Sequence, residues 1–130
     1  MFVLDTNTLI YFFKGMGSVA DRLLEKAPKS IGIPAVVLYE LEVGIAKSSA
    51  PQKRRAQLES LISVVNMLPF GMDEARAAAA IRAVLETKGT PIGPYDVLIA
   101  GTALSQKGVL VTHNTQEFGR VEGLQIEDWY

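Results

Sequence analysis

Three stretches of this chain put carboxylates on segments that are otherwise apolar. In "MFVLDTNTLIYFF" the run Phe2-Val3-Leu4 stops at Asp5, Thr6 and Asn7 and resumes at Leu9. In "IPAVVLYELEVGIAK" the acids Glu40 and Glu42 sit among valine, leucine and isoleucine, with no basic residue three or four positions away. In "PIGPYDVLIAGTAL" Asp96 precedes a run with no charge. A carboxylate on a buried element must find a partner or shift its pKa. Each also has a local explanation: Asp5 as a turn residue helping Asn7 cap a helix, Asp96 as an acid favoured by a helix dipole. If Asp5, Glu40 and Asp96 converge, they repel one another unless a cation joins them. With no cysteine and a single histidine, an oxygen-only site selects a hard ion, Mg²⁺ or Mn²⁺. Such an ion polarises a phosphate and supplies a hydroxide, so the expected chemistry is phosphodiester hydrolysis. Helical periodicity leaves open whether Glu40 or Glu42 faces the site.

The elements that would carry these acids alternate. "FVLD" reads as a buried strand and "TLIYFFK" as a helix ended by Gly15 and Gly17. Ser18 can cap "VADRLLEKA", "SIGI" is a second strand, and Pro34 suits the first turn of a helix reaching about Lys47. A helix from Pro51 to Ser63, a strand in "VVNML" and a helix capped by Asp73 and ended by Gly89 follow. Pro94 opens another helix that Gly108 ends. "VLVT" is a strand and "LQIEDW" an edge strand. Alternation of this kind gives an α/β fold, a small and mostly parallel sheet with helices on both faces. Sites in such folds gather beyond the carboxyl ends of the strands, where Asp5 and Asn114 should both lie.

Length favours one domain over residues 1–130, and a chain of 130 residues needs no staple. An apolar fraction of 48% with 21% charged residues is ordinary for a compact soluble protein. The N-terminus lacks a basic region and Asp5 interrupts its apolar run, so it is no signal peptide. The longest uncharged run, Ser60 to Met72, contains Pro69 and is shorter than the about 20 residues a bilayer needs. No membrane association is expected, and cysteine-free composition fits the cytoplasm. Net charge is −1, so any nucleic-acid contact must be local.

The stretches "VLDTNTLIYFFKG", "VVLYELEVGIAKS", "GTPIGPYDVLIAGTAL" and "VTHNTQEFGRVEGLQIEDW" together resemble the PIN-domain ribonucleases, specifically the VapC toxins of toxin–antitoxin pairs. The resemblance spans essentially the whole chain in the family's order and spacing. It implies a three-layer α/β/α fold with four or five strands, Mg²⁺ dependence and endonucleolytic cleavage of RNA leaving a 5′-phosphate and a 3′-hydroxyl. The branch with the most similar C-terminal motif is associated with initiator tRNA. The resemblance selects Glu40 over Glu42, because the family's glutamate precedes a glycine by four, as Glu40 precedes Gly44. It gives Asp5 and Asp96 the metal, and Glu40 either a water-mediated hold on it or the role of base. Many relatives place a fourth acid after the last core strand. Here Asn114 stands there, with Glu117 three residues on, either as the missing acid or as the start of a surface turn. Family membership further implies a VapB-type antitoxin whose tail lies over the acids, and a homodimer.

Several residues stand around this set. The Thr6 hydroxyl can reach a bound water or the phosphate. Lys47, Lys53, Arg54 and Arg55 cluster near the junction of two helices and could track RNA phosphates. His113, the lone histidine, is expected on the surface near the site, and a two-histidine, metal-free mechanism is excluded. Tyr95 could stack on a base or serve as a buried or rim aromatic. Two other readings differ in class. A non-catalytic PIN fold would bind RNA without cutting it. A phosphoacceptor domain also ends a parallel strand in Asp, but here no D-x-D and no receiver-type lysine is present.

Overall fold

The computed structural model describes residues 1–130. Five strands form one sheet: β1 (Phe2–Leu4), β2 (Ile31–Pro34), β3 (Asn66–Leu68), β4 (Val109–Val111) and β5 (Gln125–Glu127). Their spatial order is β3-β2-β1-β4-β5, and every pairing is parallel. Seven α-helices flank it: α1 (Thr6–Lys14), α2 (Val19–Leu24), α3 (Ala35–Ala46), α4 (Pro51–Ile62), α5 (Met72–Thr87), α6 (Pro94–Ser105) and α7 (Thr115–Phe118). A parallel sheet needs crossovers, and each apolar strand is covered by the helix that returns the chain. The expected α/β class is therefore borne out, and the sheet has five strands, the larger of the two numbers expected.

The sheet winds outward in both directions from β1. One half proceeds through β2 and β3, the other through β4 and β5. Chain direction across the sheet thus reverses between β1 and β4, which opens a crevice beyond their carboxyl ends. Leu4 pairs with Val111 in register. Asp5 N–H donates to Val111 O at 3.2 Å, so Asp5 and Thr112 leave the sheet side by side.

Helix ends differ from expectation in physically instructive ways. Asp5, not Asn7, is the N-cap of α1: its carboxylate accepts from Thr8 N at 2.9 Å, while Asn7 is exposed within the first turn. Asp73 does not cap α5. That cap is Gly71, whose N–H donates to Glu74 Oε1 at 2.8 Å, half of a capping box that needs no N-cap side chain. Ser18 stands at the N-cap of α2 but its hydroxyl makes no capping bond, and α2 ends at Leu24. Pro34 closes β2 and caps α3 instead of opening its first turn.

Twenty-two buried apolar residues form the core. Trp129, just past the edge strand, is 1% exposed. Its ring lies 5.4 Å from that of Phe2, and its Nε1 donates to Glu127 Oε1 at 2.9 Å. This docks the chain's last residues across the end of the sheet. Helices α5 and α6 pack along much of their length through small residues. At Gly101 a β-carbon would stand 2.7 Å from Ala78 Cβ and 2.8 Å from Ala78 N. Because backbone is the obstacle, the helices would have to part. Gly101→Val is expected to lower stability by about 3 kcal/mol, the upper end of the usual overpacking cost. Urea denaturation read by circular dichroism checks it; an unchanged midpoint would show that the α5–α6 seam yields freely.

Candidate active site

Two local rules position the first acid. A parallel strand on the way into the crevice ends at Asp5, and the helix that begins there requires an oxygen at its N-cap. The Asp5 carboxylate is 5% exposed as a result. Burial pushes its pKa up, and Asp128 adds repulsion; the Thr112 and Thr8 hydroxyls and the Thr8 N–H pull the other way. Thr8 Oγ1 in turn donates to Val111 O at 3.1 Å, tying α1 to β4.

Helix α3 supplies the second acid, and tertiary structure separates the two glutamates that periodicity could not. Glu40 accepts the Thr6 hydroxyl at 2.7 Å, across 34 residues of sequence. Glu42 turns away and takes Arg55 Nη1 in both carboxylate oxygens, at 3.0 and 2.7 Å. Helix α6 supplies the third. Asp96 lies in its first turn, half-buried, with its Oδ2 3.1 Å from where a β-carbon on Gly93 would stand. Burial, followed by the charges of Glu117, Asp5 and Glu40 and a hydrogen bond to Glu117, pushes Asp96 up to about 6. Helix α7 brings Glu117, whose Oε2 accepts Asn114 Nδ2 at 2.6 Å. Asn114 N–H donates to Thr112 Oγ1 at 3.0 Å, so the turn after β4 is braced on the threonine beside Asp5.

Asp5, Glu40, Asp96 and Glu117 therefore share one edge of the sheet, and Asp96 feels the charge of the other three. None of the four forms an ion pair with any lysine, arginine or histidine. They are not drawn into a ready-made cage: no three acidic or histidine side chains stand close enough together to hold an ion. Mg²⁺ does not demand such a cage, since it is commonly bound through one or two carboxylates and keeps its waters. Carboxylate oxygens without cationic partners, those of Asp5 and Asp96 held above the usual range, fit a hard divalent cation.

Three contributors were not legible beforehand. Thr8, Thr112 and Asp128 each act on Asp5, and only the D-x-x-T spacing of Asp5 and Thr8, an N-cap with its bonded N–H, was available as a signal. His113 is exposed as expected; its Nδ1 lies 2.9 Å from Asp128 Oδ2 and its ring stacks on Tyr130 with centroids 4.3 Å apart. The basic set divides. Arg55 is occupied by Glu42, and Arg54 bonds Gln57 at 3.3 Å. Lys47 and Lys53 are exposed and unpaired. A cleft of ≈ 410 Å³ between α1, α3 and α4 touches the acidic edge only at Glu40, and Lys14, Gly44 and Arg54 also line it.

The model of the PIN domain matches residues 2–124. The chain is 41% identical to the tRNA(fMet)-specific endonuclease VapC of Salmonella typhimurium, covering 98% of this chain and 97% of that one. It is 32% identical to ribonuclease VapC2 of Rickettsia felis, over 99% and 98% of the two chains. Its fold superposes with a TM-score of 0.92 on a chain of the DNA-bound VapBC of Salmonella typhimurium, at 41% identity over 99% of this chain and 98% of that one. By sequence, by fold and by the acids gathered at one sheet edge, this chain belongs to the VapC family of PIN-domain ribonucleases.

Proposed function

We propose that this chain is a single-domain, Mg²⁺-dependent endoribonuclease toxin acting in the cytoplasm, that its substrate is tRNA, initiator tRNA foremost, and that a VapB-type antitoxin restrains it. The observation that carries the reading is the set Asp5, Glu40, Asp96 and Glu117, in which Asp96 feels the other three charges and none has a cationic partner. Similarity to an endonuclease named for tRNA(fMet) supports the substrate.

Asp5 and Asp96 would hold the ion, which when bound polarises the scissile phosphate and eases loss of a proton from water. Glu40 has one oxygen engaged by the Thr6 hydroxyl, which fixes its rotamer and leaves the other to take the proton of the attacking water. Glu117 shares a hydrogen bond with Asp96 and is oriented by Asn114, so it holds the Asp96 side chain in place. Water attacks phosphorus in line with the departing 3′ oxygen, leaving a 5′-phosphate and a 3′-hydroxyl. The exposed Lys47 and Lys53 and the cleft-lining Arg54 follow the flanking phosphates, with salt-dependent affinity. Arg55 contributes less, because its exposed pair with Glu42 must open first.

The cleft beside Glu40 suits the antitoxin tail. Gly44 lies inside α3, yet no atom of the chain stands within 4 Å of where its β-carbon would be. A mid-helix glycine costs stability without a packing reason here, so the space serves something that comes from outside. A lysine or arginine on such a tail would pair with the acids and displace the ion. Two toxin copies would set their basic patches and acidic edges along one groove.

Asn caps a helix as well as Asp does. Asp5→Asn and Asp96→Asn should therefore fold normally yet lose about 10²–10³-fold or more in cleavage. Incubating each with total tRNA and mapping new ends tests this, and cleavage at the wild-type rate in either variant, or in excess EDTA, overturns the reading.

Asp96 must be ionised to hold a cation, and its pKa is raised to about 6. The acid limb of kcat/KM should therefore rise about tenfold per pH unit below 6 and level off above it, moving to lower pH as Mg²⁺ competes with the proton. A profile flat from pH 5 to 7 would contradict this.

Gly44→Ala should raise the unfolding free energy of the isolated chain by about 0.5–1 kcal/mol and weaken its complex with the antitoxin. Thermal melts with calorimetric titration separate the two effects, and an unweakened complex would remove the cleft from the interface.

A further inference from the structure

The acids on α3 and α6 are each preceded by a tyrosine, Tyr39 before Glu40 and Tyr95 before Asp96. The fold brings these two rings together, with centroids 5.7 Å apart and planes inclined at 57°. Aromatic side chains that meet usually do so to bury area. This pair buries little: Tyr39 is 53% exposed and Tyr95 44% exposed, and neither belongs to the core. Tyr39 acts most on the Tyr95 hydroxyl and Glu40 reaches it as well, which puts the pair at the rim of the acidic edge. Beyond Glu40, on the side of the cleft, stand Lys14 and Arg54. Glu40 thus stands between an apolar cleft edged by Lys14 and Arg54 and the aromatic pair.

Single-stranded nucleic acid is held by that combination. Cations take the backbone, and an exposed ring takes the face of an unpaired base. Tyrosine suits the role because its hydroxyl stays wet while its ring stacks. We propose that Tyr39 and Tyr95 form a stacking platform that receives one unpaired base of the RNA beside the scissile phosphate. The platform draws the flanking nucleotide out of its stack and so fixes which phosphate lies over the acids. It rests on the ribonuclease reading above and adds a positioning function to two residues outside the acidic set. Recognition through a ring face favours loops over duplex, because only an unstacked base presents that face.

The test uses a stem-loop RNA that carries the cut site mapped with total tRNA. Abasic nucleotides replace its loop positions one at a time. Wild-type protein should lose about tenfold or more in kcat/KM at one abasic position next to the cut, the loss of one base–aromatic stack. Tyr95→Ala and Tyr39→Ala should raise KM by a similar factor on the intact RNA with kcat within about twofold, and should no longer respond to the abasic position. Tyr95→Phe and Tyr39→Phe, which keep the ring, should restore the wild-type KM and the abasic response. A uniform response to every abasic position, or alanine variants with wild-type KM, would overturn the platform while leaving the nuclease intact. So would alanine variants that change only the mass of the protein in light scattering, since the rings would then serve contact between protein chains. Absence of any cleavage by the wild type would instead count against the ribonuclease reading itself.

Discussion

Asp5 belongs to two elements at once. It is the first residue past the central strand β1 and the N-cap of α1, so its carboxylate is used to begin a helix and is buried in doing so. Leaving water penalises the charged form, whereas the Thr8 N–H, the helix dipole and two threonine hydroxyls favour it. The outcome is an acid with a raised pKa at the point where the sheet reverses direction. Much of the remaining architecture follows from that placement. Strand β4 pairs with β1 in the register that sets Thr112 beside Asp5, and the turn after β4 is braced on Thr112. Asn114 and Glu117 are thereby delivered to the same edge.

The acidic edge is a stressed arrangement. No positive side chain relieves it: burial pushes both Asp5 and Asp96 up, and for Asp96 the charges of Glu117, Asp5 and Glu40 add to it. Neutral donors restrain the acids instead. Thr6 holds Glu40 and Asn114 holds Glu117, each through a single hydrogen bond that orients a carboxylate without neutralising it. The cost is offset away from the site, by the close packing of α5 on α6 and by Trp129 locking the last residues over the sheet. Stability and chemistry are thus carried by different parts of the chain, which lets the site stay charged.

Helix α3 is where these parts meet. Val37, Leu41 and Ile45 face the core, and their spacing of four sets the helix's orientation. Glu40 then falls toward Thr6, Tyr39 toward α6 and Gly44 toward the cleft, while Glu42 is left to Arg55. Twelve residues place an acid, an aromatic rim and a glycine gap within three turns. A register shift of one residue would exchange Glu40 for a neighbour, and that is why the buried face of this helix matters to the chemistry.

Much was determined by sequence alone. Interrupted apolar runs marked Asp5 and Asp96, alternating strand and helix signals gave a parallel α/β sheet, and the quoted motifs carried the family. These are local properties, readable because burial and periodicity act over a few residues. The choice of Glu40 over Glu42 by geometry, the role of Thr8 and Thr112 at Asp5, and the occupation of Arg55 by Glu42 came only with tertiary structure. So did the meeting of Tyr39 with Tyr95. Helix caps fell between the two, since Asp5 and Asn7, or Asp73 and Gly71, compete for the same end and a shift of two residues depends on where the strand before them stops. Contacts across 34 residues, such as Thr6 with Glu40, leave no trace in spacing. They exist because the sheet register brings separate helix ends to one place, and register is a property of the whole packed chain.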